Sequence, residues 1–69
     1  MNIINAYRIE IVFKSGGDES FLIESKLSFK EISNSLYETM SNNSHLTFIT
    51  TNTQFAVISI DDISRLVVK

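Results

Sequence analysis

The chain has 69 residues, a formal net charge of −2, and no Cys, Pro or Trp. A domain this small buries only about 60% of its unfolded surface, and without cysteine neither a disulfide nor a Cys-based zinc site can supplement the core. One His excludes a His-rich metal site, and six Lys/Arg dispersed among eight Asp/Glu do not supply the basic surface that phosphate binding needs.

The opening "MNIINAYRIE" has no basic segment followed by an apolar one, and no run approaches the ~20 apolar residues of a membrane span. A cytoplasmic protein that does not contact the membrane is expected. The bias toward Ile, Ser, Asn and Lys suits an AT-rich genome, such as that of a low-GC bacterium or its phage.

In "AYRIEIVFK", Tyr7, Ile9, Ile11 and Phe13 alternate with Arg8, Glu10, Val12 and Lys14. Period two with β-branched and aromatic residues predicts a half-buried strand. "SGGD" follows, with the only two glycines, Gly16 and Gly17. Glycine adopts positive φ without steric cost, as tight hairpins require. The stretch has neither P-loop nor GxGxxG spacing, so it reads as a turn into a second strand, "ESFLIES".

The period then changes. Ser28 and Glu31 fit the S-x-x-E capping box, with Leu27 and Ile32 at the hydrophobic-staple positions. Phe29, Ile32, Leu36 and Met40 draw one apolar stripe at spacings of three and four. A helix is predicted from about Phe29 to Met40, ended by the polar cluster Ser41 to Ser44. "HLTFITT" and "FAVISI" read as a third and a fourth strand joined by "TNTQ", and "ISRLVVK" as a short fifth strand or a continuation.

The order β-β-α-β-β, with a possible short β5, predicts an α+β fold in one domain over residues 1–69. The expected architecture is a single antiparallel sheet of four or five strands with the helix packed on one face. The face turned away from the helix should then be polar. Val12, Leu22 and Ile49 break that rule, joined by either Val57 or the set Ala56, Ile58 and Ile60. A contiguous apolar patch marks an interface, so Val12, Leu22, Ile49 and Val57 are the candidate protein interface. Burial by strong curling of the sheet, as in a small barrel, is the alternative.

Chemistry finds little purchase. His45 and Ser44 are neighbours in sequence, which does not assemble a nucleophilic site. Asp61 and Asp62 stand together between apolar runs. Neighbouring strand residues point to opposite faces, and no D-x-D-x-D-G pattern offers a hard cation enough oxygens. "SIDDISRL" reads instead as strand, Asp cap, one helical turn and strand, with Ile63 and Leu66 returning to the core at a spacing of three. Tyr7, Phe13, Phe21 and Phe48 are expected in the core rather than as base-stacking platforms.

No catalytic residue, metal ligand or cofactor is assigned; the structural turn or cap residues are Gly16, Gly17, Ser28, Glu31, Asp61 and Asp62. The expected function is a small non-enzymatic protein-interaction module: a binder, inhibitor or adaptor. It would act through an apolar sheet face, an edge strand or the mildly acidic rim of Asp18 and Glu19. Its partners would be itself, as a homodimer or higher oligomer, and another protein. The alternative is a nucleic-acid-binding or transcription-regulatory oligomer that gathers Arg8, Lys14, Lys26 and Lys30 onto one side.

Overall fold

The computed structural model describes residues 3–69. The chain runs β1 (Asn5–Phe13), β2 (Asp18–Ser25), α1 (Phe29–Asn42), β3 (His45–Ile49), β4 (Phe55–Ser59), a 3-10 turn (Ile60–Asp62) and β5 (Ile63–Val68). The α+β class and the element order match the reading of the sequence. The single sheet does not. The strands form a three-stranded antiparallel sheet ordered β2-β1-β5 and a separate two-stranded sheet, β3-β4.

The reason lies in β5. It returns antiparallel to β1, pairing Ile9 with Val68 and Val12 with Arg65, and so takes the one edge of β1 that β2 leaves open. The backbone bonds between Arg8 and Lys69 extend this ladder. The β3-β4 hairpin is left to lie against the first sheet, tied to it where Thr51 N–H donates to the carbonyl of Leu22 (2.8 Å).

Both hairpin loops are built alike. Phe13 N–H donates to Gly17 O, and Gly16 N–H donates back to Phe13 O. Likewise Thr50 N–H donates to Gln54 O, and Thr53 N–H donates to Thr50 O. Each is a three-residue loop that closes on a residue at positive φ. That residue is Gly16 (φ 102°) in the first loop and Thr53 (φ 65°) in the second.

The capping box forms. Ser28 Oγ accepts from Glu31 N–H (3.2 Å), and the Glu31 carboxylate accepts from Ser28 N–H (3.0 Å). α1 runs one half-turn beyond Met40, to Asn42. The hydroxyl of Ser41 donates to Tyr37 O, and Asn43 N–H donates to Thr39 O, so part of the expected breaker cluster is absorbed into the helix. The β2-α1 connection is pinned at Leu27, whose carbonyl accepts from Tyr7 Oη (2.6 Å) and Asn5 Nδ2.

The core draws on every layer. Tyr7, Ile9, Ile11, Ile23, Leu36, Leu46, Ile58 and Ile63 are buried together. Phe13, Phe21, Ile32, Met40, Phe48 and Leu66 pack around them. Phe21 meets Phe48 edge-on, with ring centroids 5.0 Å apart, a contact that joins the two sheets. The spacing of three between Ile63 and Leu66 has a different origin from the expected helical turn. A register shift opposite Val12 and Phe13 makes Ser64 the extra residue of a β-bulge, which returns Ile63 to the inner face.

Candidate functional site

The strand alternation sorts the expected interface residues. On β1 the odd residues face the core, so Val12 lies on the outer face of the three-stranded sheet together with Arg8 and Glu10. Leu22 opposes Arg8 on that face, and Val12 opposes Asp18 and Arg65. Val12 and Leu22 are thus set among charges and lie four strand residues apart, about 13 Å.

Ile49 and Val57 lie on the outer face of the two-stranded sheet. Ile49 opposes Phe55, and Val57 opposes Thr47, so Ile49, Phe55 and Val57 are immediate neighbours on one surface. All three are more than half exposed, at 62%, 67% and 56%. Of the two sets that could have faced outward from β4, it is Val57 that does; Ile58 is buried. The four expected residues therefore divide between two surfaces, and Phe55 belongs with the second. Its place was accessible from period two alone, since it lies two residues before Val57.

Two grooves flank these sheets. One, of about 670 Å³, runs along β4 from Phe55 to Ser59. Phe13, Phe21, Glu19 and Asp62 also line it. The other, of about 460 Å³, lies between α1 and β5, with Leu36 and Met40 on one side and Ile63, Leu66 and Val68 on the other.

Asp61 and Asp62 sit in the 3-10 turn, as the reading of a turn expected. The expected Asp cap is corrected. The capping position falls on Ser59, which makes no side-chain cap bond, and both acids lie inside the turn and are exposed. A turn this short offers an Asp at its second or third residue no unsatisfied N–H ahead of it to accept from. The two acids instead precede the strand, and the carbonyl of Asp62 accepts from Lys14 N–H.

His45 Nδ1 lies 3.0 Å from Ser44 Oγ, and both residues are exposed. No acid is hydrogen-bonded to this imidazole among the described residues. Nor do three or more His, Asp or Glu side chains converge among them. Hydrogen bonds from the Ser28 backbone N–H and side chain hold the Glu31 carboxyl below its ordinary pKa, which belongs to helix capping rather than catalysis. Among the described residues, no helix is long and apolar enough to cross a membrane.

Comparison with family models, with curated proteins and with solved structures finds no match to this chain. The functional reading therefore rests on the surfaces described above.

Proposed function

We propose that the protein is a small non-enzymatic protein-interaction module that self-associates through the outer face of its β3-β4 hairpin. The observation that carries this is the strip of Ile49, Phe55 and Val57, adjacent in the cross-strand register and each more than half exposed. Single exposed apolar residues are ordinary, whereas three neighbours on one sheet face make a contiguous patch of the kind that marks an interface. The core is small, with eight buried hydrophobic residues among those described, so burial of this strip against a second copy also relieves a domain of marginal stability.

The nucleic-acid reading finds less support. Arg8, Arg65 and Lys69 share the outer face of the three-stranded sheet with Glu10 and Asp18, and Lys69 pairs with Glu10 (3.0 Å). Interleaved charge of this kind does not concentrate counter-ions as a basic stripe does.

Light scattering on the wild type and on Phe55→Ser tests the reading. The wild type should scatter as an oligomer, and Phe55→Ser should shift toward 7.8 kDa with its circular dichroism unchanged. An oligomer indifferent to Phe55→Ser would refute this surface.

A further inference from the structure

β4 pairs with β3 alone among the described residues. The ladder fixes which of its backbone groups remain open. Thr50 N–H donates to Gln54 O, and Ile60 N–H donates to Ser44 O, so these pairs close the hydrogen-bonded rungs at either end. Bonded rungs alternate along an antiparallel pair, which turns Ala56 and Ile58 toward β3. The N–H and C=O groups of Phe55, Val57 and Ser59 point the other way, to the open edge of β4, and all three residues line the groove of about 670 Å³.

One lining residue is unusual for an interior-facing position. Glu19 opposes the fully buried Ile11 and therefore shares the inner face of its sheet with Phe21 and Ile23. It nevertheless stays exposed, because no strand covers it. Asp62 stands at the end where β4 gives way to the 3-10 turn. The groove thus has an open strand edge on one side, an apolar floor of Phe13, Phe21 and Ile58, two carboxylates, and no basic side chain in its lining.

We propose that this groove takes up an extended peptide carrying basic residues, which adds to β4 as a further strand. The backbone edge supplies the hydrogen bonds common to strand addition, the floor receives alternate apolar side chains, and the carboxylates select for flanking Lys or Arg. The proposal rests on the interaction-module reading and names the chemistry of the partner; it uses the backbone edge of Phe55 and Val57, whereas self-association uses their outward side chains with Ile49.

The test uses the intact chain, isotopically labelled for amide resonances, and the synthetic peptide acetyl-Lys-Val-Thr-Val-Thr-Lys-amide. Saturable shifts should centre on the amides of Phe55, Val57 and Ser59. Glu19→Lys should weaken the affinity about fivefold, as loss of one or two exposed ion pairs does. A peptide with Glu in place of Lys should bind more weakly still, and one N-methylated at alternate nitrogens should not bind. The absence of saturable binding, equal binding of the N-methylated peptide, or Phe55 and Val57 shifts that depend only on protein concentration would each overturn the proposal. The last outcome would give the edge to a second copy. A self-associating chain that ignores the peptide loses this proposal alone, whereas a monomer that binds it retains this proposal and loses the self-association.

Discussion

Replacing Thr53 with Asn should stabilise the protein. Thr53 closes the β3-β4 loop at φ 65°, a region that costs an L-residue roughly 1–2 kcal/mol and that a β-branched side chain tolerates worst. Asn is among the few non-glycine residues that enter it readily. Among the described residues the Thr53 side chain has no hydrogen-bond partner; the loop is closed by backbone bonds and by Thr50 Oγ1, which accepts from Gln54 N–H (3.2 Å). Nothing is therefore lost with the hydroxyl. Relief of even half the strain gives about 0.5–1 kcal/mol, or a rise in Tm of roughly 2–8 °C for a domain of this length. The first hairpin supplies the converse. Gly16 occupies the equivalent position at φ 102°, with open space where a Cβ would stand. Gly16→Ala should thus cost about 1 kcal/mol through conformation alone, and Gly17→Ala, also unobstructed and outside the positive-φ region, should be neutral or slightly stabilising. Thermal unfolding followed by circular dichroism reads all three. A Thr53→Asn variant that melts below the wild type, or a silent Gly16→Ala, would refute the account of both loops.

Ser28→Ala should cost roughly 0.5–2 kcal/mol, as loss of an N-cap does, measured by urea denaturation. Because the capping bonds depress the Glu31 pKa in the fold, its contribution is present above the ordinary carboxylate value and is lost as pH falls through the lowered one. The melting difference between wild type and Glu31→Gln should accordingly narrow in acid, and a gap that widens there would contradict the sign. Asp61→Ala and Asp62→Ala should each stay within about 0.5 kcal/mol of wild type, since both acids are exposed and neither occupies the capping position; a melting loss of a full cap would restore the capping role. Leu46 is 1% exposed in the core common to both sheets. Leu46→Ala should cost about 2–5 kcal/mol against a total stability of roughly 3–10 kcal/mol, in a single transition. Separate melting of the β3-β4 hairpin would show that the two sheets do not share one core.

Local features were legible in the sequence because their causes are local. Alternation from Tyr7 to Phe13 placed β1 and its inner face, Ser28 and Glu31 placed the start of α1, and the glycines placed the first turn. The division into two sheets was not legible. It depends on whether β5 or the β3-β4 hairpin captures the open edge of β1, a competition between segments some fifty residues apart that no short pattern records. The bulge at Ser64 misled for a related reason. It reproduces a helical spacing between Ile63 and Leu66 inside a strand, and only the pairing register tells the two apart. The candidate interface was half legible: alternation marked Val12, Leu22, Ile49 and Val57 as apolar where a polar face was expected, but period two cannot say which strands share a surface. Period two puts Phe55 on the face of Val57, and only the hairpin register sets Ile49 opposite Phe55.

Self-association through the hairpin face is the central claim, and sedimentation equilibrium of the wild-type chain across the micromolar range tests it most directly. A reversible, concentration-dependent mass above 7.8 kDa that falls back to the monomer in Phe55→Ser is the expected result. A wild-type mass that holds at 7.8 kDa throughout that range would contradict it.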